Sequence, residues 1–303
     1  MAGSSRSAAL VLVGLLVAAA TTAAAVVIDG RLDPDYGPPL SLQTTQTFSQ
    51  DNPPGFGGAD SSWWSFGSEL DAGYAFVSDG VLHLLLAGNV MAYLGEFDHR
   101  DELHIFLDTQ AGGQNPLRGD NPDVGFVNAR LNALAGLRFD SDFVPDYWLG
   151  CVVGYHAALV DAYYAEVPSG GGGNGYPLGS ATAGGPGTLS GGANPFGILM
   201  TADDSNSGGV TTGCGPASGS GVTRGVEWAI PLAAIGSPTG SIKVCAMVGG
   251  NSVLGPVPPG TCGLGSPSGI DFDTIGGKQY FVIDLATVRT RGSTWGSLKA
   301  IYR

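Results

Sequence analysis

Ten short segments of this chain alternate apolar and polar residues, and no stretch holds a helical period for long. That pattern constrains the fold more than any other feature. The segments are QTTQTF (43–48), GYAFV (73–77), VLHLLLAG (81–88), ELHIFLD (102–108), GLRFD (136–140), YWLGCVVGYHAALVDAYYAEV (147–167), FGILMTA (196–202), GVEWAIPL (225–232), SIKVCAMVGG (241–250) and QYFVIDL (279–285). A period of two with β-branched and aromatic content predicts strands. Asp79-Gly80, between GYAFV and VLHLLL, predicts a two-residue hairpin turn with both residues at positive φ. Helix candidates are few: VNARLNALAG (127–136) and STWGSLKAIYR (293–303). A sheet with one apolar face must bury it against another sheet. The expected fold is therefore all-β, an antiparallel, jelly-roll-like β-sandwich with long glycine-rich loops and one or two short helices.

Glycine and proline, at 51 and 19 residues, reach a level at which disorder has to be weighed. The glycines pool, chiefly at 169–195 and 205–221, while the alternating segments stand between the pools. They read as loops joining strands.

Residues 1–25 read as an export signal: Arg6 precedes the apolar run AALVLVGLLVAAA, and small residues follow up to Ala25. The run is short for a retained membrane span of about 20 apolar residues, and no second such segment follows. A single sandwich domain is expected over 26–288 and a basic tail over 289–303. Loss of Arg6 with the signal leaves 12 basic against 26 acidic residues, 14 more acids than bases. That balance argues against nucleic acid as a partner, since phosphate binding needs concentrated positive charge. The expected location is outside the cell, secreted or at the surface. There an even count of cysteines, Cys151, Cys214, Cys245 and Cys262, favours two disulfides of open connectivity.

Three stretches in order, IDGRLDPDYG (28–37), ELHIFLDTQAGG (102–113) and GVEWAIPLAAIG (225–236), resemble the family 9-like carbohydrate-binding modules and the wider DOMON-like sandwiches. LLLAGN (84–89) and NPDV (121–124) are also similar to stretches of uncharacterised exported bacterial proteins, many with surface-sorting tails. The resemblance implies a sandwich that binds sugar or a related extracellular ligand, with calcium as a structural ion. Sites in that family clamp a sugar ring between two facing aromatics. Trp63 and Trp64 are adjacent and so point to opposite faces of a strand, which leaves one of them as a platform rather than both as a clamp.

The candidate aromatic platforms are Trp63, Trp64, Tyr147 and Trp148, since stacked rings suit sugars. After ELHIFLD, the loop brings Asp108, Asn115, Asp120, Asn121 and Asp123 within a short span, an oxygen-rich set of the kind calcium takes. The same loop contains Arg118-Gly119-Asp120, an adhesion-type tripeptide by resemblance, and a solvated turn is its plain alternative. Asp98, His99, Asp101, Glu102 and His104 would make a divalent-ion cluster if the chain bends at Asp101. His83 with Met91 is the pair a haem site would need. Alternation puts Leu103, Ile105 and Leu107 on the core face of their strand and Glu102, His104, Phe106 and Asp108 on the other.

No GxSxG nucleophile elbow occurs, and nothing selects one carboxylate pair for glycoside hydrolysis. In the tail, Arg289, Arg291, Lys299 and Arg303 cluster, and Ser293 would cap a helix carrying Trp295, Leu298 and Ile301 on one face. Such a tail suits docking on its own domain or attachment to a surface or sorting component. The resulting expectation is a non-catalytic binding module for extracellular or cell-surface glycan. The alternatives are a structural subunit that joins copies of itself into a filament or surface layer, and, more weakly, a hydrolase.

Overall fold

The computed structural model describes residues 26–44, 68–90, 102–126, 130–153, 159–206, 219–249, 252–254, 267–287 and 290–291. Expectations for the export signal, Trp63, Trp64, Met91, Asp98, His99, Asp101, Cys214, Cys262 and the tail helix from Ser293 lie outside these residues. Fourteen strands run through them: β1 (Ser41–Leu42), β2 (Glu69–Ser78), β3 (Val81–Asn89), β4 (Glu102–Asp108), β5 (Tyr147–Val153), β6 (Leu159–Glu166), β7 (Gly175–Thr182), β8 (Ser190–Gly191), β9 (Leu199–Ala202), β10 (Gly225–Pro231), β11 (Ser241–Val248), β12 (Ser252–Val253), β13 (Phe281–Asp284) and β14 (Thr290–Arg291). Among the described residues the only helical pieces are short 3-10 turns, and no helix is long and apolar enough to cross a membrane.

The strands form two sheets. One has the order β1-β2-β3-β10-β9, with β14 added in parallel to the far end of β2. The other, antiparallel throughout, has the order β12-β11-β4-β5-β6-β7-β8, with β13 also on β11. The protein is an all-β sandwich, as the alternation predicts. Asp79 and Gly80 turn the β2–β3 hairpin at φ 51 and 78, the mirror-image turn whose twist matches that of its strands.

Leu82, Leu84 and Leu86 of β3 meet Leu103, Ile105 and Leu107 of β4 in the main core, with Trp228 and Tyr164. This is the face that alternation assigned to β4. The other face of β4 is also covered. Phe106, Trp148, Cys245 and Met247 pack beneath Leu117, Leu131, Leu134, Phe139, Phe143 and Phe272, supplied by the long excursion between β4 and β5 and by the segment before β13. A third cluster joins Tyr36 to Tyr74, Phe76 and Leu85 on the outer face of the first sheet.

Three local expectations give way. GLRFD makes a single bridge, Arg138 to Asp271, in place of a strand, because its apolar residues lie over the larger sheet without joining it. Leu131–Leu134 of the predicted helix is one 3-10 turn. GYPLGSAT, inside the glycine pool read as loop, is strand β7, paired along β6. Its Gly179, at φ 110, would place a Cβ 2.3 Å from the Ser190 carbonyl oxygen, so the glycine there permits close strand approach.

Candidate functional site

The loop after β4 owes its shape to side-chain amides. Gln114 Nε2 donates to Asn121 Oδ1 at 2.7 Å, and Asn121 Nδ2 returns a bond to Gln114 Oε1 at 3.1 Å. Asn121 and Asn132 trade a similar pair through the Asn121 backbone. Asn115 Nδ2 lies 3.1–3.2 Å from the carbonyls of Phe139, Asp140 and Phe143, and its Oδ1 accepts from the Phe139 amide. These bonds fold the loop back over the larger sheet.

The calcium candidates do not gather in this arrangement. Asp108 accepts from the Val144 amide and from Lys243 Nζ at 3.1 Å. Asn115 is committed to backbone, Asp120 holds a two-bond pair with Arg118 (2.8 and 2.6 Å), and Asp123 pairs with Arg130 at 2.6 Å. Among the described residues no three His, Cys, Asp or Glu side chains are grouped to hold a metal ion. One oxygen of Asp108, one of Asp123 and both of Asp120 thus meet cationic or backbone donors. Within the adhesion-type tripeptide, Arg118 and Asp120 are bound to each other.

Two of the four aromatic candidates are also displaced. Tyr147 is 8% exposed and Trp148 fully buried, because β5 is covered on both faces: Tyr147 enters the main core and Trp148 the outer cluster. Trp148 is therefore no platform. Cys151 and Cys245 are free, buried thiols. They lie in different clusters on opposite faces of one sheet, so they cannot bridge each other. Burial raises the pKa of both well above that of an ordinary thiol.

Where the strands of the larger sheet end, Gln110, Ala111, Gly112, Gly113, Asp146, Tyr147, Glu166, Pro168 and Ser169 line an open cleft of about 350 Å³. Asp146 Oδ2 accepts the Thr109 and Gln110 amides at 2.9 and 3.0 Å and so fixes one wall. Burial still raises its pKa, chiefly by desolvation. Gly113, at φ 78, passes so close to the segment leading into β5 that a Cβ would stand 2.3 Å from the Pro145 carbonyl oxygen. The Tyr147 hydroxyl accepts a long bond, 3.4 Å, from Gln110 Nε2, and Glu166 Oε2 anchors Asn174. A second hollow, of about 410 Å³, shares Gly113 and is lined by Asn115, Arg138, Ser141, Asp271 and Asp273.

Two buried acid groups escaped the sequence reading, and a third, Glu102 with His104, was read only as part of a larger divalent-ion cluster. Glu227 Oε2 accepts the amides of Asp29 and Gly30, both at 2.8 Å, and Oε1 takes the Tyr36 hydroxyl. This ties the first of the three motif stretches to the last. Burial nevertheless lifts the Glu227 carboxyl to about 7. Asp71 is the bulged residue of β2 and Glu69 stands two positions before it, each 1% exposed. Burial, with Asp71 adding repulsion, raises Glu69 to about 9, and burial raises Asp71 to about 7. On the outer face of β4, Glu102 and His104 are 2% and 1% exposed. Both carboxyl oxygens of Glu102, Nδ1 of His104 and Nε1 of Trp148 lack a hydrogen-bond partner. The Phe126 amide favours the Glu102 carboxylate without reaching hydrogen-bond geometry, and burial, the larger effect, raises its pKa well above the usual range. The signal for this face was the alternation itself, which set Glu102 and His104 together.

Comparison of the chain with family models, with curated proteins and with solved structures finds no match.

Proposed function

We propose that the protein is an extracellular, non-catalytic binding module that holds a glycan in the open cleft beside Tyr147. The supporting observation is the composition of that cleft: an amide (Gln110), a carboxylate (Glu166), a hydroxyl (Ser169), a phenol (Tyr147) and open glycine backbone around about 350 Å³. That volume is at the small end of ligand pockets, about 300–1,000 Å³. Hydroxyl-rich rings bind through such neutral and acidic groups. No lysine or arginine lines the cleft, which sets it against phosphate and other anions. The sequence resemblance to sugar-binding sandwiches points the same way. Glycan-array binding by the secreted chain tests the reading, with Glu166→Ala and Gln110→Ala expected to weaken it at least about tenfold, the loss of roughly one charged hydrogen bond. Binding to no glycan ends the proposal. Binding that depends on Trp63 or Trp64 and ignores both cleft variants keeps the ligand and moves the site.

One observation favours a second reading, a structural subunit that assembles with its own copies. The first sheet ends on the two-residue strand β1, where Leu40 and Leu42 are 40% and 37% exposed. Exposed apolar edges invite strand addition. Light scattering after size exclusion separates the readings, since only the subunit gives regular polymers.

A further inference from the structure

We propose that Glu102 and His104 form a binding site for a divalent transition-metal ion on the outer face of the larger sheet. The site lies at the far end of β4 from the open cleft and does not depend on the glycan reading.

The two residues stand at i and i+2 on one strand, which puts both side chains on the same face with Cα atoms about 6.6 Å apart. That spacing lets a carboxylate and an imidazole converge on one ion. Glu102 Oε1 and Oε2 and His104 Nδ1 are all buried and all without hydrogen-bond partners, and the one group that favours the Glu102 carboxylate is the Phe126 amide. Buried polar atoms are nearly always satisfied, so three bare ligand atoms on adjacent same-face positions indicate a missing occupant.

The surroundings suggest its charge. Directly across from Glu102 and His104 stand Val152 and Gly150 on β5, and across from His104 on β11 stands Met247. None of these carries a charge, so a strand neighbour does not neutralise Glu102, whereas a dication would. A Cβ at Gly150 would lie 2.4 Å from the Trp148 ring and 3.0 Å from Glu102 Oε1, so the indole and the carboxyl both approach the bare Gly150 backbone and each other. His104 and Trp148 ring centroids are 6.0 Å apart. The bare Trp148 Nε1 supplies a donor for a non-protein ligand of the ion.

The donor types select the metal class. Calcium takes six to eight oxygens, and this face offers one carboxylate. An imidazole with a carboxylate suits zinc, nickel or copper, with water completing the coordination that two protein ligands leave open.

The test uses the full exported chain, stripped with a chelator and titrated calorimetrically with zinc chloride, nickel chloride and calcium chloride. One zinc per chain is expected, with no comparable calcium binding. His104→Ala and Glu102→Gln should each weaken zinc at least about tenfold, since even indirect partners of a metal ligand are worth that much; Asp123→Asn should leave it unchanged. Zinc should raise the Tm of the wild type and not of the two site variants. X-ray absorption of the wild-type complex should show an imidazole nitrogen with oxygen neighbours, a readout that stands even where a variant fails to fold. Absence of zinc from the wild type, equal affinity in both site variants, or a thiolate-only shell from the cysteines would each overturn the assignment.

Discussion

The Tyr36 hydroxyl donates to Glu227 Oε1 at 2.7 Å across 191 residues of sequence. Tyr36 also sets its ring edge-on to Phe76, with centroids 4.8 Å apart. Tyr36→Phe keeps that ring contact and leaves a buried carboxyl oxygen bare. The expected cost is about 1–3 kcal/mol, read as a lower urea midpoint at unchanged slope. A midpoint equal to wild type would mean that the hydroxyl is not what fastens the N-terminal segment.

The acid pair on β2 predicts a pH dependence. Glu69 and Asp71 are raised to about 9 and about 7 in the folded protein, against about 4 for such groups in an unfolded chain. Between those limits the folded state holds protons that the unfolded state has released, so stability falls as pH rises. It is fullest below about pH 4 and declines through about 7 and 9, and Glu227 adds to the fall with the same sign. Thermal unfolding at pH 5, 7 and 9 should show a declining Tm. Glu69→Gln should flatten the decline and exceed the wild type at pH 9. An unaltered slope in that variant would remove Glu69 from the account.

Cys151 and Cys245 are enclosed thiols. Maleimide labelling followed by peptide mass spectrometry should leave both untouched in the native protein and modify both on denaturation without any reductant. A requirement for reductant at either position would show it disulfide-linked.

The loop over the larger sheet is held unevenly. Asn115→Ala orphans a set of backbone groups that its amide satisfies and should cost at least about 2 kcal/mol. Arg118→Ala removes an ion pair whose side chains are 45% and 56% exposed; it should leave the denaturation midpoint close to that of the wild type. Chemical denaturation of both variants compares them directly, and a reversed order would refute the assignment of the loop's rigidity to amides.

Much of the fold was legible because alternation survives burial. In ELHIFLD the assignment of Leu103, Ile105 and Leu107 to the core is the arrangement found, and Asp79-Gly80 turns as its composition requires. The site was less legible, since strand periodicity says which face a residue takes and not what covers that face. Trp148 and Tyr147 sit on opposite faces as alternation demands, yet both faces are roofed. The acidic loop looked like a metal loop because composition does not disclose that Arg118, Arg130 and Lys243 reach its carboxylates. Strand β7 was hidden by its glycines, which mark close approach to β8 at Gly179 and carry no periodic signal.

The neighbours β3 and β10 are paired along seven positions, Val81 to Ala87 against Pro231 to Gly225, although five strands of the other sheet, β4 to β8, are made between them. Those five follow one another as a meander, each able to pair with the strand just completed. Such sequence-local pairings close with little loss of chain entropy, whereas the β3–β10 ladder must wait for a distant segment. On a chain made from its N-terminus the β4–β8 part of the larger sheet therefore assembles first. The β2–β3 hairpin waits with one side unpartnered until Gly225–Pro231 arrives, and the last strand to enter the first sheet's centre is the one that carries Glu227 to the waiting N-terminal segment.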